Sequence, residues 1–282
     1  MQPGISQNKG KGGFTLRTLT LPSGASVTVC DYGAHILGWQ NPDGEQQLFL
    51  SDSAEFKAGK AIRGGVPLIF PQFNAFGPGN RHGFARSTLW HFDPTPKQVL
   101  RWSLNHYDVC DTHWPFPFQA YLSVELTDSV LNITLDIHNT GNVPFSFTAA
   151  LHSYFHISHL KEARLLGLKG SAYWDNDGAA FSSRQTYSED ILFFDDAIDR
   201  VFFDVSAPLK LIDGLRKRTL SHPGFPEVVV WNPGKQDAAK MTDLDTDSFR
   251  NMLCVEAAAI DTPIELEPET AWQGSQTITI ES

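Results

Sequence analysis

Apolar and polar residues alternate with a period of two along most of the chain, the mark of strands that bury one face. Residues 14–21 read as a strand, and Pro22-Ser23-Gly24 turns the chain into residues 26–31 as its hairpin partner. The clearest hairpin joins 120–126 to 130–138 through Thr127-Asp128-Ser129, with Val124, Leu126, Leu131, Ile133, Leu135 and Ile137 on its apolar face. Further strands are expected at 101–107, 145–155, 201–203, 209–212, 228–231, 252–259 and 276–281. Helical patterns are short: one at 53–56 and one around 237–250, polar on most sides. No repeat of 20–50 residues and no linker divides the chain. Residues 14–282 are therefore expected to form a single domain behind a flexible polar tail, residues 1–13. Many short strands separated by turns predict an all-β fold, one large antiparallel β-sandwich with a few short helices.

Composition narrows the class of partner. The chain has 282 residues, of which 12% are aromatic and 19% charged, with 22 glycines and 17 prolines, as in a turn-rich globular protein and not a disordered one. A formal charge of −10 disfavours nucleic acid or an anionic membrane as the main partner, but leaves room for a small anion held by a local basic cluster. Cys30, Cys110 and Cys254 are too scattered for a disulfide framework or a zinc site, so reduced, buried thiols are expected. No apolar run reaches membrane-spanning length, and residues 1–13 lack the apolar centre of a signal peptide. A cytoplasmic protein is the expectation.

Residues 63–86 depart from the strand pattern. Arg63 and Arg86 bracket the segment and Arg81 sits beside His82; between the brackets lie five glycines, three prolines and four phenylalanines. Cations on Gly-rich backbone beside aromatic rings suit a small anionic ligand with an apolar face, such as a sugar phosphate. A Pro/Gly-rich surface loop with solvated charges accounts for the same residues equally well.

Two further residues carry chemistry. Glu256 is the one polar residue in the run Met252 to Ile260. It either points to solvent or pairs with an arginine, or it is a general base whose burial raises its pKa. His152 lies in a similarly apolar stretch, and if that stretch is a strand, His152, Tyr154 and His156 share one face. A satisfied core histidine is the plain alternative. His152, His156 and His159 have a spacing that would suit metal ligation on a helix, but no helical stripe runs through them and no Glu follows the first, so no metal is expected. Phosphate-loop, nucleophile-elbow and dinucleotide signatures are missing too, and no cofactor is expected.

Taken in order, these pieces form a series: Arg63-Gly64-Gly65-Val66-Pro67 with Phe70-Pro71-Gln72-Phe73, then His82-Gly83-Phe84-Ala85-Arg86, Leu151-His152-Ser153-Tyr154-Phe155, Asp199-Arg200-Val201, Val229-Val230-Trp231-Asn232-Pro233-Gly234 and Met252-Leu253-Cys254-Val255-Glu256-Ala257-Ala258. The series resembles the glucose-6-phosphate 1-epimerases, or hexose-6-phosphate mutarotases, of the aldose 1-epimerase superfamily, from about Phe14 to the C-terminus. The resemblance implies a galactose mutarotase-like sandwich, with Glu256 as catalytic base and His152 as catalytic acid. By the same resemblance His82 contacts the sugar near its ring oxygen and Asp199 holds sugar hydroxyls. Arg63 and Arg86 match the phosphate arginines, and Gln72 falls among the substrate-binding residues. Two departures stand out. Asn74 replaces a common Gly, and Glu267-Pro268-Glu269-Thr270 replaces a Pro-Gly-Glu turn.

The implied reaction is interconversion of the α and β anomers of hexose 6-phosphates, chiefly glucose 6-phosphate. It proceeds by ring opening and closure on a carboxylate base and a protonated histidine whose mutual attraction keeps both charged. The expected partner is a small sugar phosphate, and a monomer suffices. Stacking on the sugar by Phe73, Phe76 or Trp231 is an open choice. The rivals are an epimerase for unphosphorylated aldoses and a non-catalytic carbohydrate-binding sandwich. Glycoside hydrolysis would need a second carboxylate where this pair has a histidine.

Overall fold

A computed structural model describes residues 3–95, 99–109, 111–176, 181–214 and 216–281; Cys110 lies outside the described residues. All paired strands run antiparallel, in three sheets. One nine-stranded sheet holds the predicted hairpin, Phe118–Leu126 with Val130–Asn139, next to Ala271–Glu281. An eight-stranded sheet places Ala172–Asp175, Ile198–Phe202, Glu227–Asn232, Met252–Leu266 and Phe145–Leu151 side by side. The N-terminal four-stranded sheet runs in chain order.

Strict alternation explains why the two large sheets form a sandwich. Leu131, Ile133, Leu135 and Ile137 are all fully buried in one cluster with Phe147, Ala149, Val228, Val230, Val255 and Ala257 of the other sheet. Their neighbours in sequence, Ala150, Val229, Ala258 and Ile260, belong to a second cluster with Phe73, Trp174, Val201 and Phe203. The eight-stranded sheet is thus apolar on both faces, and its second face is covered by the loops that carry the site.

The structure differs from the sequence reading in four places. Gly4–Lys9, expected within a flexible tail, pairs along its full length with Thr15–Thr20 although all six of its residues are exposed. Main-chain hydrogen bonds hold it, and these leave no hydrophobic trace in a sequence. Residues 53–56 form no helix, being too short to offset nucleation. The pattern at 237–250 yields only a helical turn, Gly234–Ala238, and a 3₁₀ turn, Ser248–Asn251, because Thr242, Asp243, Asp245, Thr246 and Asp247 favour local side-chain-to-backbone turns. The strand expected over 145–155 is interrupted between Phe145–Leu151 and Tyr154–His156. There the His152 amide donates to Pro67 O at 3.0 Å and the Ser153 amide to Leu151 O at 2.9 Å.

Candidate active site

Register sets the floor of the site. Trp174 pairs with Val201, Val201 with Val229 and Val229 with Glu256, so one row across four strands ends on the carboxylate. The next row runs Asp199, Trp231, Cys254, Tyr154. Glu256 shares its face with Ala258, not with the core between the sheets, and it is 2% exposed. His152 stacks on Tyr154, ring centroids 4.8 Å apart and planes 9° from parallel, with Trp231 edge-on to both rings. This brings His152 Nδ1 within 3.2 Å of Glu256 Oε1. The contact is not a hydrogen bond, and His152 Nδ1 and Glu256 Oε2 are buried without a hydrogen-bond partner. Both residues line a cleft of about 450 Å³ whose lining also includes Arg63, Phe73, Arg81, His82, Arg86 and Asp199.

The Gly-rich segment forms the cleft's wall. Gly64 and Gly65 have positive φ and lie so close to Phe49 O and Ile36 O that a Cβ at either would collide with main chain. Asn74 and His82 both adopt the left-handed region, φ 48° and 65°. They are tied together: the His82 amide donates to Asn74 O at 2.9 Å and the Asn74 amide donates to His82 Nδ1 at 3.2 Å. Asn tolerates this conformation better than most residues, which accounts for Asn74 where Gly is common. Because Nδ1 accepts, the ring proton of His82 sits on Nε2. Glu269 likewise takes φ 60° in the substituted turn, which closes through Thr270 N to Glu267 O at 3.1 Å.

Charge in the cleft is unevenly neutralised. Arg63 donates from Nε to Asp243 Oδ2 at 3.2 Å and from a terminal nitrogen to the Tyr154 hydroxyl at 3.0 Å, and its other terminal nitrogen is ion-paired with Asp243 Oδ2 at 3.1 Å. Burial pulls its pKa down, but Tyr154 and Asp243 together push it above the ordinary value. Arg86 donates to Arg81 O at 2.9 Å, and no ion pair to a carboxylate forms at either residue among the described residues. Burial, with Arg63 and Arg81 nearby and against the pull of Tyr154, lowers Arg86 to about 10. Burial and then Arg86, Arg81 and Arg63 bring His82 down to about 3, so it is neutral.

The same forces act on the central pair, against the attraction expected to keep it charged. Burial, then His82, Arg86 and Arg63, pulls His152 well below the usual imidazole range. Burial, then Asp199, pushes Glu256 well above the carboxylate range, with Arg86 opposing. Burial thus shifts the two groups in opposite directions, each towards its uncharged form. Burial also raises Asp199, against the hydrogen bond it accepts from Asn176 at 2.8 Å.

Of the seven residues singled out in sequence, His152, Glu256, Arg63, His82, Arg86 and Asp199 line this one cleft; Gln72 does not. Its amide donates to Asn74 O and Gly79 O and accepts from the Gly79 amide, bracing the 72–79 loop beside a separate hollow of about 240 Å³. Phe73 and Trp231 reach the cleft; Phe76 packs outside it against Phe73 and Phe181. His156 and His159 turn away from His152, towards Arg216 and the Lys161 amide. Sequence reasoning missed Trp174, Asn176, Asp237 and Met241, which line the cleft, and Asp243, which fixes Arg63. Trp174 sits in a four-residue strand with no visible alternation, Ala172–Asp175, and only its bulk could have drawn notice.

Comparison with known proteins bears on what this cleft is. The family profile for Aldose 1-epimerase matches residues 16–279. The chain belongs to the aldose 1-epimerase family. A relative from Cenchrus ciliaris, named "Putative glucose-6-phosphate 1-epimerase", is 38% identical over 257 residues, 86% of this chain and 78% of that protein. One of the same name from Salmonella typhimurium is 30% identical over 259 residues, 88% of this chain and 84% of its own. Among solved structures, one described as "a putative mutarotase (YeaD)" from Salmonella typhimurium superposes with a TM-score of 0.88 at 27% identity, covering 99% of this chain and 94% of that one. The galactose 1-epimerase of Lactobacillus acidophilus NCFM, at 13% identity, shares the fold with a TM-score of 0.75 over 100% and 99% of the two chains. The antiparallel sandwich read from the strand pattern is thus the galactose mutarotase-like fold of the aldose 1-epimerase family.

Proposed function

We propose that this aldose 1-epimerase family member interconverts the anomers of hexose 6-phosphates, chiefly glucose 6-phosphate. The observation that carries the reading is the pair at the cleft floor: a carboxylate and an imidazole 3.2 Å apart, each with a buried unpartnered atom. Ring opening needs one group to take the proton from the C1 hydroxyl and another to protonate the ring oxygen. Both oxygens are bonded to C1, so acid and base must converge on one carbon, and this pair does. Glu256 accepts the hydroxyl proton, His152 delivers its proton to the ring oxygen, and the bond from C1 to the ring oxygen breaks. The aldehyde turns about C1–C2, and the two transfers run backwards to close the ring on the opposite face. Positioned acid–base groups contribute about 10²–10⁴-fold each, enough for a reaction that already proceeds in water.

His82 donates from Nε2 towards the sugar, Asp199 accepts from its hydroxyls, and Phe73, Trp174 and Trp231 supply the apolar surface. The unpaired Arg86 attracts the 6-phosphate, with Arg63 behind it. Every group comes from one chain, so a monomer is complete. Buried free thiols at Cys30 and Cys254 fit a cytoplasmic setting. No helix among the described residues is long and apolar enough to cross a membrane.

The test is magnetisation exchange between the anomers of glucose 6-phosphate, followed by NMR with and without protein. Exchange is expected to accelerate, and Glu256→Gln or His152→Ala to remove most of that acceleration in a folded protein. Near-normal rates in either folded variant would overturn the assignment. Stronger acceleration of free glucose than of its phosphate would move the substrate to unphosphorylated aldoses.

A further inference from the structure

We propose that Gln276, which reaches in from the opposite sheet, is the positioning residue that holds His152 at its working distance from Glu256. The inference rests on the anomer-exchange reading above and adds to it a residue outside every motif of the resemblance. Gln276 belongs to Ala271–Glu281, whose buried residues are Gly274, Gln276 and Ile278. It is 2% exposed and pairs in register with the fully buried Ile133, so its amide points into the core between the sheets. An amide there is costly unless it is satisfied. Its Nε2 donates to Val255 O at 3.0 Å and its Oε1 accepts from the Ser153 hydroxyl at 2.5 Å. Val255 precedes Glu256 and Ser153 follows His152, so one side chain ties both catalytic residues from behind.

The bond to Val255 stands in for one that the sheet has lost. Leu151 pairs with Ala257 and Tyr154 with Cys254, a single register on both sides of the interruption. His152 therefore falls opposite Glu256, and Ser153 opposite Val255. In an unbroken antiparallel ladder these last two residues would exchange both main-chain bonds. One is made: the Val255 amide donates to Ser153 O at 3.1 Å. The other is missing, because the Ser153 amide turns back to Leu151 O at 2.9 Å, and Gln276 caps the carbonyl left over. The turn shapes the cleft floor. Residues two apart in a regular strand stand roughly 6.5–7 Å apart, whereas the His152 and Tyr154 rings are stacked at 4.8 Å. Without Gln276, Val255 O recovers a partner when the Ser153 amide swings back to it. That straightens the strand, parts the two rings and moves His152 off Glu256.

Anomer exchange is measured on glucose 6-phosphate and on glucose for wild type, Gln276→Met, Ser153→Ala and Ile278→Ala, with thermal unfolding of each. Ile278 is buried on the same face of the same strand, so its variant weakens the core but keeps the bond to Val255. In Gln276→Met kcat is expected to fall about 10–100-fold on both sugars with KM within about threefold, as for an acid–base pair displaced by about 1 Å. The gentler Ser153→Ala, which loses one neutral hydrogen bond, should lower kcat about 2–10-fold. Ile278→Ala should lose stability alone. Equal kcat in wild type and Gln276→Met overturns the proposal, as does a loss no larger than that in Ile278→Ala. If Gln276→Met does not fold, an unchanged kcat in Ser153→Ala overturns it. The NMR signal of the His152 ring, identified by its loss in His152→Ala, reads position apart from activity. It should move in Gln276→Met and hold in Ile278→Ala; a signal unmoved in Gln276→Met overturns the positioning role whatever the activity. If wild type accelerates neither sugar while that signal still moves, the positioning role stands and the anomer-exchange reading fails.

Discussion

Substituting His82 by Asn tests whether this histidine is a neutral donor or a second titrating group. Asn is among the few residues that accept φ 65°, so the backbone is spared a penalty that Ala would incur. The magnitude follows from linkage. An unfolded imidazole titrates near 6.5, whereas burial and three nearby cations hold His82 down to about 3. Between those values the unfolded chain binds a proton that the folded one refuses, so this contribution to stability is intact above 6.5 and is lost as pH falls towards 3. At pH 5 the loss is about 2 kcal/mol. All other groups titrate alike in both proteins, so the stability gap between wild type and His82→Asn should shrink by about 2 kcal/mol from pH 7.5 to pH 5. Urea unfolding at the two pH values measures it. A gap that does not change with pH would falsify the neutral buried state of His82. Catalysis gives a second reading: loss of one uncharged hydrogen bond to substrate should raise KM by roughly 2–10-fold. The shape of the pH–rate profile should survive. An inflection near pH 6.5 that vanishes in the variant would mean that His82 itself titrates during turnover.

Glu227, buried and accepting from Ile260 N at 2.8 Å, is raised to about 7 chiefly by burial. Its folded pKa exceeds the unfolded one, so stability is lost as pH rises from about 4.5 through 7, and Glu227→Gln should gain on wild type by about 2 kcal/mol between pH 5 and pH 8; a flat difference in unfolding free energy counts against it. Tyr154→Phe keeps the ring under His152 but removes the acceptor for Arg63, so stability should fall by about 1–2 kcal/mol while kcat stays within about tenfold of wild type. A hundredfold loss of kcat would give the hydroxyl a larger part than bracing. Inorganic phosphite, as a detached piece of the substrate's dianion, should accelerate exchange of unphosphorylated glucose at concentrations where it occupies the arginines; pure inhibition would show that anion binding and chemistry are uncoupled.

How much of this was legible in the sequence depends on whether a residue's role arises from its own strand. Glu256 stood out because alternation makes a lone carboxylate in an apolar strand conspicuous, and the face it occupies follows from period two. His152 was visible for the same reason. Its stacking on Tyr154 was half visible, since both were expected on one face. Gln72 sits inside a matching motif, and only the folded loop shows that its amide is consumed by Asn74 and Gly79. Arg63 and Asp243 are 180 residues apart, so nothing local could reveal that one neutralises the other. Gly4–Lys9 was unreadable for the opposite reason: main-chain pairing and two polar contacts, Arg17 to Gln7 and Lys9 to Thr15, hold it, and its polar side chains look like those of a tail.

The electrostatics of the central pair carry a consequence for the direction of catalysis. In the free cleft, burial places the shared proton on Glu256 and leaves His152 neutral. Ring opening, however, starts from the opposite arrangement, carboxylate and imidazolium, and ends in the neutral one. The free cleft is therefore poised for the open-chain aldehyde, and a bound ring must first bring the proton back to His152. Two of the causes that disfavour imidazolium there are the charges of Arg86 and Arg63. Arg86 lowers Glu256 as well as His152, so a phosphate dianion that neutralises it lifts both members of the pair and moves the proton between them only by the difference of the two effects.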